Sequence, residues 1–468
     1  MRANREVAAA KGSGWKRARI GDTLRLVNGA AFKPTDWNKD GVPIVRIQNL
    51  NNPEAAFNLT KRELPEKFKL RGGELLFAWS GTPGTSFGAH IWRGGEAWLN
   101  QHIFNVLFDE REWDKKFLQF AINQNLADYI RAAHGGAGLA HITKGRFEES
   151  ELLQPGPPEQ RRIVSEIEKL FTRLEAGVAA LRRVQANLKR YLAAVLKAAC
   201  EGRLVPTEAE LARTGNRKAK FETGEALLAR ILAKRRQNWQ GRGKYKEPVA
   251  PDEANLWPLP TGWTWASLEQ VARSSSYGTS AKCSPDNSGP PVLRIPNIAG
   301  GRIDLTNLKF AGLNETIAAG DELMPGDLLI IRTNGSKNLI GRSTVVREKL
   351  SRATSYASYL IRFRLLGSPT LFDWVGTIWD VSFLRAWIER RAATSAGQHN
   401  ISMSVLSTMP IPLPPLAEQT RIVAEVERRM SVVQELEAVV SANLQRATRF
   451  RQSILREAFT GKLANRDL

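Results

Sequence analysis

Apolar residues recur every third or fourth position along two long stretches of the chain, and the two stretches are copies of one another. In the first, Ile163, Ile167, Leu170, Leu174, Leu181, Val184, Leu188, Val195 and Ala199 form the pattern. In the second, Ile422, Val426, Val433, Val440, Phe450, Ile454 and Ala458 repeat it. EQRRIVSEIEKLFTRL from Glu159 returns as EQTRIVAEVERRMSVV from Glu418, a shift of 259 that holds without a gap to Leu204 and Leu463. An offset constant over tens of residues marks an internal repeat. Each copy predicts an amphipathic helix, with Arg, Lys and Glu opposite the apolar stripe. QPGPPEQ (154–160) and PIPLPPLAEQ (410–419) exclude helix before each start, and Gly202 and Gly461 stand where a C-cap is expected. The pairing stripe is assigned to Ile163, Ile167, Leu174, Leu181 and Leu188 on one helix, and to Ile422, Val426, Val433, Val440 and Ile454 on the other. Two unrelated helices packed into separate cores remain the alternative.

Elsewhere the pattern is of short strands. VPIVRIQNL, ELLFAWS, HIFNVLF, PVLRIPNI, DLLIIRT and SYLIRFR are short apolar runs, with helical periodicity in KKFLQFAINQNLADYIRAA and FDWVGTIWDVSFLRAWIERRA. These blocks also repeat, faintly. Gly14-Trp15 matches Gly262-Trp263, and Arg46-Ile47-Gln48-Asn49 matches Arg294-Ile295-Pro296-Asn297, both at a shift of 248. GGELLFAWSG (72–81) resembles PGDLLIIRTNG (325–335). The order is reader, helix, reader, helix, and the class is α+β. Expected boundaries are 1–155 for the first reader, 156–205 for the first helix, 206–260 for a basic connector, 261–413 for the second reader and 414–468 for the second helix. The connector's Lys234-Arg235-Arg236, Arg242, Lys244 and Lys246, interleaved with Trp239 and Tyr245, suit either phosphate contact or a solvated linker.

Charge narrows the partner. Formal net charge is +21 over 468 residues, which points to a polyanion, with nucleic acid first. Two cysteines, Cys200 and Cys283, build neither a disulfide framework nor a cysteine-rich metal site. No run of about twenty apolar residues appears, so no membrane partner is expected and the expected compartment is the cytoplasm. There is no GxxxxGK[ST] run, no NPP[FY] or DPP[YFW] tetrapeptide and no metal-ligand spacing among the five histidines. No catalytic or metal site is therefore assigned.

This arrangement resembles the specificity subunits of type I restriction-modification systems over nearly the whole chain. The resemblance rests on PPEQRRIV and PPLAEQTRIV, on AACEGRLV and AFTGKLA, on GTPGTSFGAHI, on the GW starts at Trp15 and Trp263, and on AGLAHITKGRF and AGQHNISMSVL before each helix. It implies two target recognition domains, each reading one half of a bipartite, asymmetric site in double-stranded DNA. It also implies two long antiparallel, coiled-coil-like helices, related by a pseudo-twofold repeat, that act as a ruler. A helix of about forty residues spans roughly 60 Å. The implied partners are two adenine-N6 methyltransferase subunits and the motor-nuclease restriction subunits. S-adenosylmethionine, ATP and Mg would belong to those partners and none to this chain. A similar reader serving another effector, and a coiled-coil scaffold or RNA-binding adaptor, stay open as alternatives.

Candidate DNA contacts are polar, glycine-rich turns after apolar strands. In the first reader they are Arg46, Gln48 and Asn49, then Ser80, Thr82, Thr85 and Ser86. In the second they are Arg294 and Asn297, then Arg332, Asn334, Ser336 and Lys337. Arg suits guanine O6 and N7, Asn and Gln suit adenine, and hydroxyls and Lys suit phosphate. Because readers of different half-sites should differ where they touch bases, the shared RI[QP]N positions favour scaffold. His141, Lys144, His399 and Asn400 read as folding or phosphate-positioning residues, and Trp79, Trp92 and Trp98 as core.

Overall fold

The structure is a computed structural model that describes residues 14–460, apart from 53–54, 82–85, 133–139, 215–220, 241–242, 314–316, 318–319 and 396. It divides into two compact units, residues 1–183 with 441–468, and residues 184–440. Each unit therefore holds one reader, half of one long helix and half of the other. The division cuts both helices rather than following the helix boundaries expected from sequence.

The first reader contains β1 (Lys16–Arg19), β2 (Leu24–Asn28), β3 (Val42–Val45), β4 (Asn58–Thr60), β5 (Lys69–Leu70), β6 (Leu75–Ala78), β7 (Ser80–Gly81), β8 (Gly88–Ile91), β9 (Ala97–Leu99), β10 (Ile103–Phe108), β11 (Ala140–His141) and β12 (Glu151–Gln154). An antiparallel sheet runs β2-β10-β6-β8, a mixed sheet β4-β3-β9-β5, and two pairs join β7 to β11 and β1 to β12. All four residues of β6 are buried, as expected for a strand covered on both faces. Leu75 and Phe77 enter one core with Phe104, Trp113, Phe117 and Phe147. Leu76 and Ala78 enter a smaller one with Val45, Trp92 and Leu99.

The second reader repeats this plan with β13 (Thr264–Ser267), β14 (Ala272–Tyr277), β15 (Pro291–Leu293), β16 (Lys309–Phe310), β17 (Asp327–Ile331), β18 (Thr333–Asn334), β19 (Ser343–Val345), β20 (Ser355–Tyr356), β21 (Leu360–Leu365), β22 (Ala393–Ser395), β23 (Gln398–Asn400) and β24 (Pro410–Leu413). Its sheets run β14-β21-β17-β19, β16-β15-β20 and β18-β23-β22, with β13 paired to β24. Leu328 and Ile330 of β17 face the larger core, and Leu329 and Ile331 the smaller.

The long helices run Pro157–Cys200 and Leu416–Phe459, each of 44 residues. In the first unit Arg451 pairs with Glu175 at 3.1 Å and lies 4.2 Å over the Phe171 ring. There Ile163 and Ile167 share a core with Ile454, Ala458 and Phe459. In the second unit Arg429 meets Tyr191, and Val195 and Ala199 share a core with Ile422 and Val426. Rising numbers on one helix meet falling numbers on the other in both units, so the pairing is antiparallel. Leu188, Val433 and Val440 are buried along the stripe, whereas Leu174 and Leu181 are half-buried. Val184 and Phe450, assigned to the stripe by spacing, are instead 42% and 53% exposed.

The sequence motifs at the helix starts are locks. Trp15 Nε1 donates to Glu159 Oε2 at 3.1 Å, and Trp263 Nε1 donates to Glu418 Oε1 at 2.9 Å. Gln160 Nε2 donates to the carbonyls of Pro155 and Glu112, and Gln419 Nε2 to that of Pro414, all at 2.8 Å. The paired Gly-Trp and Glu-Gln motifs thus tie each reader to the helix that follows it. Gly202 ends the first helix at φ +65, where L side chains are strained, and an added Cβ would lie 2.5 Å from Pro260.

The connector is part of the second unit. Its helix Gly224–Gln237 buries Leu227 and Ile231 in the core that holds Trp263. Arg235 Nε donates to the Ala272 carbonyl at 2.9 Å and its Nη1 to Tyr245 Oη at 3.0 Å. Among the described residues no helix is long and apolar enough to cross a membrane.

Candidate nucleic-acid interface

The residues after the central strands β6 and β17 lie where three segments of each reader converge. In the first reader the Trp79 N–H donates to the His102 carbonyl at 3.3 Å, and the Trp79 carbonyl accepts from the Ile142 N–H at 3.0 Å. In the second, the Arg332 N–H donates to the Tyr359 carbonyl at 3.0 Å, and its carbonyl accepts from Ile401 at 2.9 Å. Register extends the equivalence. Ser80 faces His141 as Thr333 faces Asn400, and Phe104 faces Asn28 as Ile361 faces Tyr277. Gly29 and Gly278 are equivalent too: an added Cβ would lie 2.2 Å from the Asn100 carbonyl oxygen in one and 2.1 Å from that of Tyr356 in the other.

At this place the first reader gathers rings. Trp79 lies 4.5 Å from His141 and 5.4 Å from His102, centroid to centroid. His102 Nδ1 is buried without a hydrogen-bond partner among the described residues. Burial, then the neighbouring His141 and Arg46, hold the His102 imidazole below its usual range and favour its neutral form. A small cleft of about 170 Å³ adjoins it, lined by Phe32, Trp37, Arg46, Ile47, Gln48, Asn100, Gln101 and His102. The Arg46 guanidinium lies 5.6 Å from the Trp37 ring centre.

The second reader is cationic at the same position. The Arg332 guanidinium lies 4.7 Å over the Tyr277 ring, and its Nε donates to Asn400 Oδ1 at 3.4 Å. Asn334 pairs with His399 across β18 and β23, and its Oδ1 accepts the Ser336 N–H at 2.8 Å. Ser336 and Lys337 are exposed in the following turn.

The structure separates the residues expected at DNA. Asn49 and Asn297 are 3% and 2% exposed. Asn49 Oδ1 accepts the Arg46 N–H at 3.1 Å while its Nδ2 donates to the Ala55 carbonyl at 3.2 Å. Asn297 does the same with the Arg294 N–H and the Asp304 carbonyl, both at 2.9 Å. Both amides are spent on folding a loop. Arg294 is half-buried and donates to the Asn307 carbonyl at 2.9 Å. Ser86 is 5% exposed, inside the domain wall. Arg46 and Gln48 line the cleft beside His102, Ser80 pairs with His141 on the strand that follows Trp79, and Arg332, Asn334, Ser336 and Lys337 follow one another along one edge of the second reader. Thr82 and Thr85 lie outside the described residues. Among the described residues no group of three or more His, Cys, Asp and Glu side chains is placed to hold a metal ion.

Residues 12–180 match the family model for the type I restriction modification DNA specificity domain. The chain is also 23% identical over 457 residues to the type I restriction enzyme EcoBI specificity subunit of Escherichia coli, covering 96% of this chain and 86% of that one. Over residues 12–180 the chain is thus similar to the DNA specificity domains of type I restriction-modification systems, and over nearly its whole length to their specificity subunits. The EcoKI specificity subunit of Escherichia coli K12 is likewise 23% identical, over 96% of this chain and 89% of its own length. The fold is shared with a solved chain from a study of complex assembly and conformational transition in the type I restriction-modification system. That match has a TM-score of 0.62 at 20% identity and covers 96% of this chain and 98% of the other.

The convergence also brings together Asn28, His102, Tyr277 and Tyr359, which the sequence reading did not single out, and Trp79, which it read as core and which is half-buried against the larger core. Their equivalence was hidden because loop lengths differ between the readers. The shift is 248 at Asn49 and Asn297, 253 at Ser80 and Thr333, 257 at His102 and Tyr359, and 259 at His141 and Asn400.

Proposed function

We propose that the chain is the DNA sequence-recognition subunit of a type I restriction-modification complex, in which each reader recognises one half of a bipartite, asymmetric site. One observation carries the reading. The two units repeat one buried scaffold, with Gly29, Asn49 and Ile142 answering to Gly278, Asn297 and Ile401, while the side chains on the equivalent edges differ. One scaffold with two chemistries suits two different half-sites, and hence a non-palindromic target. The +21 charge supplies the sequence-independent attraction to phosphate.

The long helices are the docking surface for methyltransferase subunits on this reading. Tyr191 and Phe450, equivalent at the shift of 259, are 45% and 53% exposed, and a duplicated surface binds two copies of one partner equivalently. In the first unit a groove of about 780 Å³, lined mainly by Leu170, Leu174, Val178, Leu181, Ala447 and Phe450, lies between the two helices. Adenine methylation with S-adenosylmethionine, and ATP- and Mg-dependent translocation and cleavage, belong to the partners. This chain contributes recognition and no catalytic group.

The test is a comparison of adenine methylation across the host genome with and without the gene, its partner subunits being present. Loss of methylation at one split motif is expected. An unchanged methylome with active partners would overturn the proposal.

A further inference from the structure

The two readers can be compared position by position, because their hydrogen-bond registers match even where their sequences do not. Four equivalent pairs surround the convergence of the central strand, its neighbour and the segment before each long helix. They are Asn28 and Tyr277, Trp79 and Arg332, His102 and Tyr359, and His141 and Asn400. All eight side chains are exposed or half-buried. Two of the positions directly beside them are buried and apolar in both readers: Ile142 and Ile401 are each 1% exposed, and Ala78 and Ile331 are both fully buried. Packing explains the matched residues. It does not explain why each of these four solvent-facing pairs differs in chemistry, amide against phenol, indole against guanidinium, imidazole against phenol and imidazole against amide, while Ser80 and Thr333 beside them keep a hydroxyl in common.

We infer that these four paired positions determine which bases each half-site carries, and that Arg332 reads a guanine in the half-site of the second reader. The inference rests on the DNA-recognition function proposed above. Arg332 is held from two sides, by the Tyr277 ring at 4.7 Å and by Asn400 Oδ1 at 3.4 Å from its Nε. Among the described residues neither Nη group has a hydrogen-bond partner. A guanidinium fixed through its face and its Nε, with both Nη groups open, presents the fork that matches guanine O6 and N7. The first reader has an indole at that position, flanked by two imidazoles, and so presents no such fork. Its half-site is read by ring contacts and by the imidazole nitrogens of His102 and His141.

The test uses the full complex with its methyltransferase subunits and reads the methylated motif at base resolution. Arg332→Ala is expected to relax one guanine position in one half of the motif, reducing its preference by about 10- to 100-fold, with the other half unchanged. His102→Ala is expected to alter the opposite half alone. Arg332→Lys keeps the charge without the fork, and is expected to relax the same guanine. If the Ala variant does not assemble, Arg332→Lys and Arg332→Gln provide the same readout. An unchanged motif with uniformly slower methylation would assign Arg332 to phosphate or folding and overturn the inference. A wild-type complex without any base preference would instead overturn the proposed function.

Discussion

Glu418 offers a quantitative check on how each reader is tied to its helices. Its side chain is fully buried, with one oxygen accepting the Trp263 indole N–H at 2.9 Å and the other the Glu208 backbone N–H at 3.1 Å. Glu418→Ala leaves the buried indole donor unsatisfied and the partly buried Glu208 N–H poorly satisfied. A stranded buried donor costs about 1–3 kcal/mol, so the pair gives about 2–4 kcal/mol for the second unit. At roughly 2–4 °C per kcal/mol for a unit of this size, the melting transition should fall by about 4–16 °C. The equivalent Trp15–Glu159 bond is longer, at 3.1 Å, and Glu159 is 34% exposed, so water replaces what is lost there. Glu159→Ala should cost about 1 kcal/mol or less. The cost at Glu418 also depends on pH. Burial holds its carboxyl above the ordinary value of 4.5, outweighing the lowering by its hydrogen bonds. A raised folded-state value means that folding takes up protons. The stability contributed is therefore complete below the ordinary glutamate range, and declines as pH rises through the elevated folded value. Glu418→Ala should consequently cost more near pH 4 than near pH 7. Calorimetry with tryptophan fluorescence checks this by following each unit's transition. Equal losses for the two variants, or a cost at Glu418 that grows toward neutral pH, would refute the reasoning.

Asp327→Ala should destabilise the second unit by about 3–5 kcal/mol, because it strands Arg364, which now donates to both carboxylate oxygens at 2.7 and 2.9 Å. Asp327→Ala with Arg364→Met should recover much of that loss in a denaturant titration. Asn49→Ala and Asn297→Ala should each cost about 1–3 kcal/mol, since each strands a backbone N–H and a carbonyl. Their methylated motif should stay that of the wild type, which distinguishes scaffold asparagines from base-reading ones.

The helices were legible in the sequence because a stripe and a shift of 259 survive without insertion over the whole element. The spacing could not show that Val184 and Phe450 leave the stripe. An antiparallel pair buries only the face turned to its partner, and a period of 3.6 does not say where along the helix that face is covered. The readers were legible as β-rich blocks, but not their equivalence. Strand registers fix which residues meet, and loops of different length shift those registers by up to eleven residues between copies, from 248 to 259. Asn49 and Asn297 illustrate the remaining ambiguity. An Asn after a strand is equally suited to an adenine edge or to its own loop, and only burial at 3% and 2% decides for the loop. The connector looked polar in sequence because its exposed residues are basic, whereas Leu227 and Ile231, one turn apart, anchor it in the core.

On the proposed function, one chain reads two different blocks of bases through two copies of one scaffold. Selection from a random duplex library by the complex assembled with its methyltransferase subunits tests it most directly. Two dissimilar base blocks separated by an unread spacer of constant length are expected. Exchange of residues 14–153 for those of a relative with another target should change one block alone. Recovery of a single uninterrupted block, or of binding that varies with salt and strand type but not with sequence, would contradict it.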